Sequence, residues 1–317
     1  MAALRDSDGA SGMNRRDAGA WVTSVHERAT TLFEELDGGE LFHSTEWARE
    51  GGGGGVSRLL VNGRTFEKAG INRSVVHGAS SDGAGSFFAA GLSLVAHPWN
   101  PHVPTVHLNV RYLEREDADG GRTRWFGGGA DLTPTWPHPE DAVHFHTALR
   151  DLCDRHDPRF YARFKRWCDE YFVNVHRGEA RGVGGIFFDE LVPGDDLEES
   201  ALEAFVDAVG RCLGAAYAPI VRLRRETPSD AEDRALQLFR RGRYVEFNLL
   251  HDRGTRFGLE TGARMDSVLM SLPPLASWPC STDFPAHSPG ARLQDMLHVR
   301  DWAIPGARRE RGRAARA

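Results

Sequence analysis

Two hydrophobic periods alternate along the chain. In "HVPTVHLNVRYLE", residues 102–114, Val106, Leu108, Val110 and Tyr112 fall at every second place, the period of a strand with one buried face. The same reading covers "VSRLLVN", "GLSLVAH", "RTRWFGGG" and "GGIFFDEL". The helical period appears in "AWVTSVHERATTLFEELDG", where positions 21, 22, 25, 29, 32, 33 and 36 are apolar and Gly38 stands near the stop. Further helices are predicted over 139–156, 158–176, 197–217 and 230–241. "GRYVEFNLLHD" reads as a strand, "TRFGLE" as a shorter one, and 265–272 fits either state. Blocks of strands separated by blocks of helices predict an α+β fold, with a large, mostly antiparallel sheet covered by helices.

Residues 1–17 are small, polar and charged, and 307–317 form a basic tail; both are predicted to be disordered. The five glycines at 51–55 make a loop too short to separate domains, so a single domain over 18–306 is expected. A hydrophobic content of 40% supports a sizeable core. The net charge of -6 disfavours a nucleic-acid partner. No apolar run approaches the roughly 20 residues of a membrane helix, and the N-terminus lacks an apolar secretory core. Cys153, Cys168, Cys212 and Cys280 show no CxxC spacing and are read as reduced thiols, which with the missing signal predicts a cytoplasmic location.

Polar residues inside strand patterns mark candidate chemistry. Between the apolar places of 102–114 stand His107, Asn109 and Arg111, on one face. Together they can move a proton, donate to an oxygen and clamp a carboxylate; a hydrated outer face is the plain alternative. "GLSLVAHP" puts Ser93, Val95 and His97 on one face of a neighbouring strand. His146 falls within the apolar stripe of helix 139–156, and His176 at the edge of the next. Four converging imidazoles at 97, 107, 146 and 176 could hold a transition metal. Alternatively, each is a hydrogen-bonded core or site residue. "RWFGGGADLTP" carries Asp131 after three glycines, and "HRGEARGVGG" carries Arg181 before a glycine pair. Asp252, Arg253, Arg256 and Arg264 follow in a glycine-rich stretch. Many arginines and few lysines there suggest planar recognition of carboxylates, a salt-bridged sheet edge being the alternative. No nucleotide-binding glycine signature is present.

Several long segments carry a resemblance: "REGGGGGVSRLL", "EKAGINRS", "HPWNPHVPTVHLNVRY", "WFGGGADLTP", "KRWCDEYF", "RGVGGIFFDEL" and "RGRYVEFNLLHDRGTRFGLETGAR". The chain resembles the oxygen-dependent coproporphyrinogen III oxidases from about residue 20 to "VRDW" at 299–302. The resemblance implies a flat antiparallel sheet between helices, in a homodimer associated through roughly 244–279. It implies oxidative decarboxylation of two propionates of coproporphyrinogen III to vinyls, giving protoporphyrinogen IX in haem synthesis. Molecular oxygen would be the co-substrate, with a divalent metal such as Mn on His97, His107, His146 and His176, and no flavin or haem. It also implies His107 as proton donor and Asp131 and Asp252 as groups acting on the pyrrole. Ser93, Asn109, Val110, Arg111, Gly262, Ala263 and Arg264 would touch substrate. Ala263 stands where the family commonly has glycine, Met265 and Asp266 depart from the usual pair, "HGASSDGAGSFF" is short, and 278–290 matches poorly.

Overall fold

A computed structural model describes residues 12–80, 85–194, 198–260, 264–279 and 283–303. After helix α1 (Arg15–Asp37) come six strands: β1 (His43–Ala48), β2 (Gly53–Val61), β3 (Phe66–Ala79), β4 (Gly85–Pro98), β5 (Thr105–Asp117) and β6 (Arg122–Thr133). Helices α2 (Pro139–Asp154) and α3 (Phe160–Tyr171) follow, then the two-residue strands β7 (Val173–Asn174) and β8 (Glu179–Ala180), then β9 (Gly184–Leu191). The rest is helical: α4 (Glu199–Gly210), α5 (Leu213–Ala216), α6 (Ala218–Arg224), α7 (Ala231–Leu250), α8 (Arg253–Glu260), α9 (Met265–Val268) and α10 (Pro289–Met296). The main sheet runs β1-β2-β3-β4-β5-β6-β9, with every neighbouring pair antiparallel.

Strand alternation gives this sheet two unlike faces. One carries Ile71, Leu92, Leu94, Val106, Leu108, Val110, Tyr112 and Leu132, all buried. Helix α1 covers it across β3 and β4, and α4 across β5 and β6. Val25, Phe33, Phe145, Phe205 and Val209 close the same core. Fully burying one such side chain contributes roughly 1.5–3 kcal/mol.

The other face is polar and glycine-rich. Registered rows cross it: Ser57, Asn72, Ser93, Asn109 and Gly129 form one. Gly55, Ser74, Gly91, Arg111 and Gly127 form the next. Gly70, Val95, His107, Asp131 and Gly185 form a third. Helix α7 and the 264–272 segment roof part of this face. Tyr244 meets the His97 ring edge-on at 5.1 Å. Lys68 donates to the Leu272 carbonyl at 2.8 Å, and Ser57 and Ser267 hydroxyls lie 3.0 Å apart. Helices therefore lie on both faces, as the pattern predicted.

Several local expectations are corrected. "GRYVEFNLLHD" is not a strand but the second half of α7. Buried positions 236, 240, 243, 244, 247 and 248 follow a helical stripe, and an Asp230–Asp233 capping box starts the helix. "TRFGLE" belongs to helix α8, and 265–272 forms α9 followed by a 3-10 turn over Leu269–Ser271. The predicted helix 197–217 breaks at Arg211–Cys212, and 158–176 ends at Tyr171. β1 and β3 escaped the hydrophobic reading. Residues 15–17, expected within a disordered end, form the first turn of α1, where the Asn14 side chain accepts from the amides of Arg16 and Asp17. Residues 12–14 lead into this helix, and 1–11 and 307–317 of the expected disordered ends lie outside the described residues. Cys153, Cys168 and Cys212 are free, buried thiols; Cys280 lies outside the described residues. Among the described residues, no single helix is long and apolar enough to cross a membrane.

Candidate active site

The polar face culminates where β5, β6 and the β8–β9 connection meet. His107 and Asp131 are register partners on adjacent strands, and the His107 Nδ1 lies 2.7 Å from Asp131 Oδ1. The other carboxylate oxygen accepts from the Arg181 guanidinium. Arg181 is fully buried in an aromatic cage, its guanidinium carbon 4.1 Å from the Phe172 ring centre, 4.7 Å from Tyr244 and 4.9 Å from Phe247. Burial opposes the Asp131 charge, but the Arg181 guanidinium and His107 outweigh it and hold its carboxyl below the usual range. Held against a carboxylate, His107 carries its proton on Nδ1. Its Nε2, without a protein partner among the described residues, remains to give or accept a proton.

Farther along β5, the Arg111 guanidinium donates to Asn109 Oδ1 at 3.2 Å and lies 2.8 Å from Asp189 Oδ1. Asn109 in turn donates to the Leu92 carbonyl at 3.1 Å. Four residues along a strand separate His107 from Arg111 by about 13 Å. Ser93 shares a row with Asn109 and is half-buried. The strip thus offers an imidazole, an amide, a hydroxyl and a guanidinium along a floor of glycines.

The other expected site residues stand apart from this strip or outside the described residues, except Asp252, whose charge lies close enough to act on Arg181. Val110 points to the opposite face and is buried in the core, because successive strand residues alternate. Arg264 is exposed beside Asp266 at 3.4 Å; Gly262 and Ala263 lie outside the described residues. Asp252 follows a helix rather than a strand. Its Oδ2 accepts from the Thr255 amide at 2.7 Å and its Oδ1 from the Tyr171 hydroxyl at 3.0 Å, so it caps α8.

The four histidines do not converge. His97 Nε2 donates to the Ser271 carbonyl at 2.9 Å, while Nδ1 accepts from the Thr105 hydroxyl at 3.3 Å. His146, fully buried on α2, donates from Nε2 to the Val183 carbonyl at 3.0 Å and accepts from the Tyr161 hydroxyl at 2.9 Å. Burial pushes its imidazolium down to about 3. His176 donates to Glu246 at 2.9 Å and pairs with His251 at 2.9 Å. These bonds occupy the lone pairs that a metal would need. Among the described residues, no group of three or more His, Cys, Asp or Glu side chains is arranged to hold a metal ion. The set 97, 107, 146 and 176 therefore does not fit one shared ion.

Two groups carry more of the site than the sequence suggested. Arg181 stood out only as an arginine before glycines. Asp189 was overlooked, although it is a charge inside the apolar "GGIFFDEL" with the same parity as Gly185.

Comparison with known proteins places the chain in a family. The family model described as coproporphyrinogen III oxidase matches residues 18–302. The chain is 47% identical over 300 residues to the Homo sapiens protein named oxygen-dependent coproporphyrinogen-III oxidase, mitochondrial; the match covers 89% of this chain and 65% of the relative. Proteins of the same name from Mus musculus and Rattus norvegicus are 46% identical over 300 residues, covering 89% of this chain and 67% of each relative. The chain thus spans 65 to 67% of the length of these relatives. All three are named mitochondrial, which overturns the cytoplasmic expectation. The missing apolar secretory core never bore on that question, because transit peptides are amphipathic rather than apolar.

Proposed function

The chain belongs to the coproporphyrinogen III oxidase family, and from that premise we propose that it converts two propionates of coproporphyrinogen III to vinyl groups with O₂, giving protoporphyrinogen IX in haem synthesis. The observation that carries the reading is the buried Arg181–Asp131–His107 row, set about 13 Å along the strand from a carboxylate-binding arginine. A multi-ring substrate with several carboxylates spans such a strip; a small metabolite does not. The relatives' names supply O₂ as co-substrate and a mitochondrial setting.

In this reading Arg111 and Asn109 hold a propionate, and the glycine rows let the tetrapyrrole lie close to the backbone. Asp131, kept ionised by Arg181, fixes His107 with Nε2 toward the cleft. His107 takes the pyrrole N–H proton. The electron-rich ring reacts with O₂ at a ring carbon; the peroxide takes a proton from the propionate carbon next to the ring and leaves as hydroperoxide, which breaks the new C–O bond, and His107 later returns the ring-nitrogen proton. The bond to the carboxylate then breaks, its electron pair forms the vinyl double bond, and CO₂ leaves. Each propionate thereby gives up two electrons to one O₂, and two protons complete H₂O₂. No step is routed through a metal, since the four histidines do not fit one. Ser93 lines the strip beside Asn109. Exposed Leu249, Leu250, Leu275 and Trp278 lie within 244–279 and support a homodimer formed through that region.

The experiment is turnover of coproporphyrinogen III by purified protein, in air and without oxygen. We expect protoporphyrin fluorescence only in air, with one H₂O₂ per CO₂. Tight binding with no aerobic product would defeat the assignment.

A further inference from the structure

Asp189 is placed by three locally costly features. The β6–β9 register shifts between Phe126 and Gly128, the kind of irregularity that re-aims a side chain. The next residue, Glu190, holds a left-handed φ of 48°, which is strained for a non-glycine residue, and its amide donates to Asp189 Oδ1 at 3.0 Å. Across the ladder stands Gly127. A Cβ there would come within 2.5 Å of Arg111 Nε and 2.8 Å of Asp189 Oδ1, so only glycine leaves room for the pair. All three converge on one contact, Arg111 to Asp189 at 2.8 Å, in a partly open cleft where an ion pair adds little stability by itself.

We propose that Asp189 is a positioning residue for Arg111, holding the guanidinium flat over Gly127, between Asn109 and the cleft, so that it meets a substrate carboxylate in one fixed orientation. The second oxygen of Asp189 faces Arg253 at 3.7 Å. One carboxylate is therefore shared by two arginines, and these three side chains together carry one positive charge. Asp189 has two opposed effects on an anionic substrate. Its charge repels the substrate's carboxylates, which weakens binding. Its grip removes the rotamers of a long side chain, which favours the reacting geometry. Losing it should therefore lower kcat without raising KM, whereas a residue needed only for folding would not separate the two.

This inference rests on the proposed reaction, and its test has two arms. In the first, Asp189→Asn, Gly127→Ala and Arg111→Ala are assayed on coproporphyrinogen III in air, with the double variant Arg111→Ala/Asp189→Asn. Asp189→Asn is expected to lose about tenfold or more in kcat, with KM unchanged or lower, and Gly127→Ala to lose kcat likewise. Asp189→Asn should cost nothing further once Arg111 is gone. Unchanged kcat in Asp189→Asn, or an equal loss in the Arg111→Ala background, would overturn the proposal. The second arm needs no turnover: the Arg111 Nε–H NMR signal of the substrate-free protein, assigned by its loss in Arg111→Ala. It should be sharp and slowly exchanging in the wild type and broadened in Asp189→Asn. An unaltered signal overturns the positioning role, while a wild type that shows this signal but makes no product overturns the reaction instead.

Discussion

At Asp131 burial acts in two directions. It raises the cost of the charge, and by excluding water it strengthens the hold of Arg181 and His107. Asp131→Asn keeps the shape and one acceptor but removes the charge. Arg181 is then a buried cation without a counter-ion, a change that typically costs about 3–5 kcal/mol. His107 also loses the partner that fixes its tautomer. We expect kcat to fall at least about a hundredfold, the lower range for general acid–base catalysis, with a lower denaturation midpoint. Single-turnover fluorescence and a denaturant titration check both effects; near-normal turnover would remove the row from the chemistry. Asp252→Asn should behave differently, since asparagine caps a helix about as well as aspartate, and its turnover should stay close to wild type. The sequence showed His107 because it lies in a strand whose alternation is plain, and Asp131 because it follows three glycines. It could not show Arg181 bending back to Asp131 from a connecting segment, nor that His146 and His97 spend their lone pairs on Tyr161 and Thr105, because such partners are distant along the chain.

Glycine has different meanings in different helices, and here pattern reading failed. Gly242 looked like a break between a helix and a strand, yet it lies in the middle of α7. A Cβ there would come within 2.5 Å of the Ser277 carbonyl oxygen and 3.3 Å of the Trp278 ring. The glycine lets the 277–278 segment pack on the helix, where the Ser277 amide donates to the Leu238 carbonyl at 3.0 Å. Gly19 in α1 has open space around it. Alanine normally favours a helix over glycine by about 1 kcal/mol. Gly19→Ala should therefore raise stability by roughly that amount, while Gly242→Ala should lower it by about 1–3 kcal/mol through overpacking. Urea midpoints of the two variants test this; equal signs would mean that the close approach at Gly242 is not what selects glycine. β3 was missed for another reason. Lys68, Gly70, Asn72 and Ser74 line its polar face, but Arg73 interrupts the apolar places Ala69, Ile71 and Val75 on the other, where it donates to the Thr23 hydroxyl of α1 at 2.7 Å, so too short an apolar run remained to read.

Across the whole molecule, several histidines are stored neutral. Burial, helped by Arg58, lowers His26 to about 4; burial and Arg224 lower His138 to about 4; burial and Lys165 lower His146 to about 3. An unfolded chain protonates the same groups near pH 6.5. Between that pH and the folded values, the unfolded state binds more protons, so protonation favours unfolding. Stability should be level above pH 7 and fall as pH drops through 6.5, with each histidine adding at most about 1.4 kcal/mol per pH unit. His138 is only half-buried and should add less. Carboxylates held below their usual range, such as Asp37 and Glu67, lose their contribution only at lower pH. The histidines therefore dominate between pH 6.5 and 5. Urea titrations at pH 7.5, 6.5, 5.8 and 5.0 should give a falling unfolding free energy with an unchanged slope in urea. A flat profile would mean that these imidazoles open to water before the fold gives way.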